Sequence, residues 1–327
     1  MAEWLIERGI GETRAARIED GGIAEMRIIR EGCGPHAGEV WDARLTAKLG
    51  ARRGIVLLGA DEALLEPMPA GLAEGGLARV VVVREPIPER GRPRLAKVRA
   101  EGVPGASPGL IAAAAMFDPP GARVLGHGET LDDWGWDEAL AEAESGLVPF
   151  PGGSLAIAPT PAMTTIDIDG DLPAVDLAMA GVRAAAAAIR RLDIGGSIGI
   201  DLPTLRDKAA RQAAGGLVDA LLPQPFERTA VNGFGFLQVV RPRQRASIVE
   251  LVQNAPVETA ALALLRVAER TPGAGPRTLT AAPRVAAWLG NRPALLAELE
   301  RRIGAPVALA EDAALGLQAG HVHAAQT

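Results

Sequence analysis

Two short runs constrain the fold of this chain more than any other feature. They are Thr164-Thr165-Ile166-Asp167-Ile168-Asp169-Gly170 and Gly195-Gly196-Ser197-Ile198-Gly199-Ile200-Asp201, with Asp201 following Asp167 by 34 positions. Both read as apolar strands that end on carboxylates. A strand buried on both faces is normally a continuous hydrophobic run, so an Asp at its carboxyl end emerges where open α/β sheets place ligands and metal ions. The intervening segment 172–192 is helical in pattern, and its run of alanines at 184–188 suits close packing on a sheet. A right-handed strand–helix–strand crossover sets the two strand ends side by side, so Asp167 and Asp201 are expected to share one divalent cation.

A length of 327 residues, with 48% hydrophobic and 3% aromatic side chains, describes several folded units with aliphatic cores. The first eight residues are charged and lack an apolar h-region, and the longest apolar run, 110–117, is far too short for a bilayer. A cytoplasmic protein without a membrane partner is therefore expected. A single cysteine, Cys33, excludes an internal disulfide framework and a multi-thiolate zinc site within one chain. The net charge of −6 argues against a surface that is one phosphate-binding field. Charge is nevertheless polarised: residues 79–99 hold seven basic side chains against Glu85 and Glu89, whereas residues 129–144 hold seven acids and no base. Such a chain can offer a basic groove while remaining acidic overall.

Residues 13–30 alternate polar and apolar around Glu19-Asp20-Gly21-Gly22, which predicts a hairpin with a Gly-Gly turn. Short β runs at 39–46, 54–58, 77–83 and 94–99, separated by Gly and Pro, have the spacing of a small β-barrel. Segment 102–128 reads as a connector with one short helix. Beyond the acidic strands, the pattern predicts a helix over 203–222 interrupted at Gly215-Gly216. Two short strands around Asn232-Gly233, a helix over 256–270, and a terminal module of strand 278–281, helix 293–303 and strand 306–310 follow.

Several of these segments resemble, in collinear order, the ribonuclease E/G family. Segment 12–22 is similar to that family's opening hairpin, and the stretch from Arg84-Glu85-Pro86 to Lys97 to the last strands of its RNA-binding OB barrel. Phe150-Pro151-Gly152-Gly153-Ser154-Leu155 through Asp169 resembles the first catalytic strand, 194–201 the second, and Phe234-Gly235-Phe236-Leu237 through Arg243 the basic strand that follows. Residues 257–322 are similar to the small C-terminal domain. The resemblance implies an α/β (α+β multidomain) fold. Its expected parts are an N-terminal hairpin segment (1–36), an inserted OB-type barrel (37–100), a shortened connector (101–146), a βαβ-based catalytic core (147–253) and a small α/β domain (254–327).

By the same resemblance, Asp167 and Asp201 match two aspartates that hold Mg2+, with Mn2+ as a substitute, in an endoribonuclease cleaving single-stranded RNA. The family's third catalytic residue, an asparagine, is Asp169 here, which keeps an acceptor but loses an amide donor. The family's Cys-Pro-x-Cys zinc link would fall between Arg245 and Pro256, where Ala246-Ser247-Ile248-Val249-Glu250-Leu251-Val252-Gln253 offers no thiolate. No zinc is expected, and any self-association would use another surface. The connector is too short for the family's 5′-monophosphate pocket, and aliphatics near Val56 and Leu65 replace base-stacking aromatics of the barrel.

Each candidate site also has a plainer meaning. Asp167 and Asp169 before Gly170 read equally as turn-forming acids, and Asp201 as the N-cap of the helix at Pro203. Arg206, Lys208 and Arg211 after Asp201, with Arg92, Arg94, Lys97, Arg241 and Arg243, are the candidate RNA-backbone contacts, or ordinary surface charge. His321 and His323 lie on one side of a strand but lack a third ligand, and Cys33 has no neighbouring base. A non-catalytic RNA-binding or assembly protein on the same fold is the alternative reading, and a metal-binding protein without a nucleic-acid role is a third.

Overall fold

The computed structural model describes residues 2–89, 93–112, 121–126 and 128–325, so Arg92 and His127 fall outside the described residues. The chain is a mixed α/β structure with a closed five-stranded barrel. It opens with β1 (Glu3–Arg8), β2 (Glu12–Glu19) and β3 (Gly22–Arg30), an antiparallel meander. Asp20 and Gly21 both have positive φ, and Glu19 pairs with Gly22, so the tight turn is Asp20-Gly21 rather than Gly21-Gly22. This is the Asp-Gly chemistry of a type I′ hairpin, whose twist matches that of the flanking strands.

The barrel is built from β4 (Val40–Lys48), β5 (Gly54–Leu58), β6 (Asp61–Leu65), β7 (Leu77–Arg84) and β8 (Ala96–Ala100). Closure comes from pairing of β4 with β5, and β6 runs parallel to β8. Alternate residues point inward to an aliphatic core that includes Leu45, Val56, Leu65, Val80 and Val98. Val56 and Leu65 are fully buried, so they are interior positions and not sites on an RNA-facing surface. Within 102–128 the described residues form two strands, β9 (Gly109–Ala112) extending the edge of β4 and β10 (Arg123–Val124) running parallel to β1, and the expected short helix is not among them, residues 113–120 lying outside the described residues.

A 3-10 turn (Leu131–Trp134) and α1 (Trp136–Ser145) lead into the central sheet. Its members are β11 (Leu147–Phe150), β12 (Gly153–Pro159), β13 (Thr164–Gly170), β14 (Gly196–Asp201), β15 (Glu227–Arg228) and β16 (Phe236–Arg241), ordered β11-β12-β13-β14-β16-β15. The crossover helix α2 (Ala174–Arg191) covers one face, where Leu177, Val182, Ala185 and Ile189 meet Ile166, Ile168, Ile198 and Ile200 in the largest core. α3 (Lys208–Leu221) packs beside α2 and passes through Gly215-Gly216 without a break. It starts five residues after Pro203 because the Asp207 carboxylate accepts from the backbone N–H groups of Ala209 and Ala210 (3.2 and 3.3 Å), making Asp207 the N-cap in place of Asp201.

Where the resemblance would place a zinc link, α4 (Ile248–Asn254) begins instead with a capping box formed by Ser247 and Glu250. The terminal module packs α5 (Pro256–Arg270), α6 (Pro283–Gly290) and α7 (Pro293–Ile303) on a sheet ordered β18-β17-β19, with β17 (Arg277–Ala281), β18 (Val307–Glu311) and β19 (His321–Ala324). Among the described residues no single helix is long and apolar enough to cross a membrane.

A buried ionic network joins the first hairpin to α5. Glu12 accepts from Arg14 (2.8 Å) and Arg30 (3.1 Å), Arg30 also donates to Thr259 (2.8 Å), and Arg266 bonds Glu7. Burial pushes the Glu12 carboxyl up, but the combined charge of Arg14, Arg30 and Arg266 outweighs it and holds the group below its ordinary 4.5. A carboxyl lowered on folding contributes stability that is complete above its unfolded value and is lost as the pH falls through the folded value. Glu12→Gln leaves the buried Arg14 guanidinium without its ionic partner and removes one of the partners of Arg30, and should destabilise the fold by about 3–5 kcal/mol in urea titrations at neutral pH. The gap between variant and wild type should narrow below pH 4.5, and a constant gap would assign the loss to packing.

Candidate functional site

β13 and β14 are parallel neighbours, and their register places Asp167 directly opposite Asp201. Residues paired in this way point to the same face, and adjacent strands lie about 4.8 Å apart, so the two carboxylates stand side by side. That face is the one α2 leaves uncovered: Asp167, Asp169 and Asp201 are exposed, while Ile166, Ile168 and Ile200 between them are buried. Asp201 ends its strand as expected, but β13 continues three residues past Asp167. The pair therefore lies on the open sheet face near its carboxyl end, and Asp167 is not a turn residue.

Neither Asp167 nor Asp201 has a hydrogen-bond or ion-pair partner among the described residues, and Asp201 is released from capping by Asp207. Asp169 lies two residues along the same face, where its Oδ1 accepts from the Gly170 backbone N–H (2.9 Å). Two adjacent, uncompensated carboxylates repel one another and match a hard cation that takes one or two carboxylates and fills its remaining positions from elsewhere. No group of three or more His, Cys, Asp or Glu arranged to hold a metal occurs among the described residues. His321 and His323 are exposed on β19, and Cys33 is an exposed free thiol whose pKa is pushed up by desolvation from nearby protein and by the charge of Glu258.

The rows around the pair were not anticipated. Phe236 is in register with Asp201 on the far side of β14, and Ala156 with Asp167 on β12. The Phe236 ring lies across Gly199, where an added Cβ would stand 2.6 Å from Phe236 Cζ and 3.0 Å from Met163 Sδ. Gln238 shares this face and donates to Ser197 (2.9 Å). The period-two pattern of β16 was the available signal, since it puts Phe236 and Gln238 on the Asp201 side.

The candidate cations divide into engaged and free groups. Arg94 pairs with Glu89 (2.5 Å) and donates to the Pro161 carbonyl (2.7 Å), and Lys97 pairs with Glu66 (2.8 Å). Arg241 donates to the Ile194 carbonyl (3.1 Å), and Arg243 bonds Glu250. Arg211 donates to the carbonyls of Leu205 (2.7 Å) and Arg206 (3.0 Å), fixing the loop that follows Asp201. Arg206 and Lys208, in and just after that loop, have no side-chain partner among the described residues.

No family model matches the chain, and no curated protein is found to match it.

The Asp167–Asp201 repulsion has a measurable consequence. In metal-free buffer Asp167→Asn and Asp201→Asn should each melt at or slightly above the wild-type temperature, because neutralising one carboxylate relieves the other. Millimolar Mg2+ or Mn2+ should raise the wild-type midpoint and leave both variants unmoved. Equal metal shifts in all three proteins would place cation binding elsewhere.

Proposed function

We propose that the protein is a Mg2+-dependent endoribonuclease acting on single-stranded RNA. The observation that carries this reading is the register that sets Asp167 opposite Asp201 on an open face, with no cationic partner for either among the described residues. The collinear resemblance to the ribonuclease E/G family supplies the substrate class. A closed five-stranded barrel, the size of an OB fold, together with the central strand–helix–strand unit, supports the same architecture.

Asp167 and Asp201 would hold the ion. When bound, a divalent cation would polarise a phosphate oxygen and lower the pKa of the attacking water. The side chains around it have separate tasks. Asp169 keeps Oδ2 available as an acceptor to orient water beside the scissile phosphate, while its Oδ1 is held by Gly170 N–H. Arg206 and Lys208 contact the phosphates flanking the cut and offset the local negative charge of three aspartates.

Asp169, standing where the family has an asparagine, favours one other reading: an RNA-binding or assembly protein that retains the fold without the chemistry. A Mg2+ titration against labelled unstructured RNA separates the two. The nuclease should shorten RNA only with Mg2+ or Mn2+, and Asp201→Asn should slow cleavage by about 100-fold or more. A protein that retards RNA in a gel with EDTA, and leaves it intact at saturating Mg2+, is the binding factor.

A further inference from the structure

Among the described residues Phe234 is the most exposed large hydrophobic side chain, at 84%, and the one aromatic in that group. It is not on a loose loop. The Asn232 side-chain oxygen accepts from the backbone N–H groups of both Phe234 (2.9 Å) and Phe236 (3.0 Å), and the Asn232 N–H donates to the Phe236 carbonyl (3.0 Å). Gly235, at φ +97°, lies so close to the Leu202 carbonyl that any side chain would collide with it. The Leu202 N–H in turn donates to the Gly235 carbonyl (3.3 Å). The turn carrying Phe234 is thereby clamped to the residue immediately after Asp201.

An aromatic ring held in water by a rigid turn is poorly placed for folding and well placed for contact. Its surroundings define that contact. On one side the Phe236 ring packs against Gly199, in register with Asp201, and on the other the 202–208 segment, whose Leu202 is bonded to Gly235, carries Arg206 and Lys208. Aromatic faces next to unpaired cations are what a single-stranded polynucleotide requires, because each base has a π-face and each linkage a negative charge. We propose that Phe234 and Phe236 form a stacking platform for an unpaired nucleobase of the strand lying across the Asp167–Asp201 pair. This inference rests on the RNA reading above and names how the strand is seated.

Because stacking is separable from cutting, the test is a binding measurement in EDTA with the full chain and a short labelled single-stranded oligoribonucleotide. Phe234→Ala should weaken binding roughly tenfold while leaving the dependence on salt concentration unchanged, since no ionic contact is lost. Phe234→Trp should restore it. A fully abasic oligonucleotide of the same length should bind wild type and Phe234→Ala equally. If wild type binds RNA and Phe234→Ala binds it as tightly, or loses affinity equally for the abasic strand, the platform is overturned and the RNA reading stands. If wild type does not bind RNA, both are overturned. Thermal melting of the Phe234 variants should match wild type, because the side chain is solvent-exposed.

Discussion

The alignment of β13 on β14 is the constraint from which the rest of the site follows. Strand side chains alternate between faces, so a slip of one residue would drive Asp167 into the aliphatic layer and Ile166 or Ile168 into water. The isoleucines that alternate with the aspartates prevent this, because Ile166, Ile168, Ile198 and Ile200 are buried together under α2. The acidic pair is thus positioned by its apolar neighbours. Its mutual repulsion costs little because both carboxylates are exposed and a large core sets the register.

The charges of the molecule fall into two regimes. Most arginines suggested by the basic segments are tied into the structure: Arg94 joins the barrel to the turn before β13, Arg243 bonds Glu250 of α4, and Arg211 braces the loop behind Asp201. Their geometry is that of struts, since a guanidinium presents several donors in one plane and can hold backbone carbonyls at chain crossings. Of the candidate RNA contacts, Arg206 and Lys208 have no side-chain partner among the described residues, and both lie on the segment that leaves the acidic strand. The sign of the charge therefore changes over a few residues at the carboxyl end of β14, in the interior of the sheet.

Much of the fold was legible where a single physical signal dominated. The period-two hairpin, the strand–helix–strand unit, and α5 and α7, whose limits follow from Pro at the first turn, all agree with the pattern. Legibility failed where two signals competed. Pro203 and Asp207 both announce a helix start, and the carboxylate that reaches two backbone N–H groups decided it. Glycines at 215 and 216 signalled a break, but packing of α3 beside α2 carried the helix through. α6 was too short and alanine-rich to show a clear stripe, and the stretch from Phe150 through Asp169, likened to a single catalytic strand, divides into the antiparallel strands β12 and β13. At the candidate site the acids were visible in the sequence, whereas the aromatic floor beside them emerged only from cross-strand register.

The network around Glu12 has a consequence for how the chain is made. Arg30 and Glu258 meet across 228 positions of sequence, and Arg266 reaches Glu7 across 259. As the polypeptide is synthesised, Glu12 already has Arg14 and Arg30 within the hairpin, but Arg30 and Glu7 cannot complete their bonds to Glu258 and Arg266 until α5 has been translated. Docking of α5 therefore completes the network, and the hairpin and α5 reach their final packing together, a contact of high sequence separation that is slow to form.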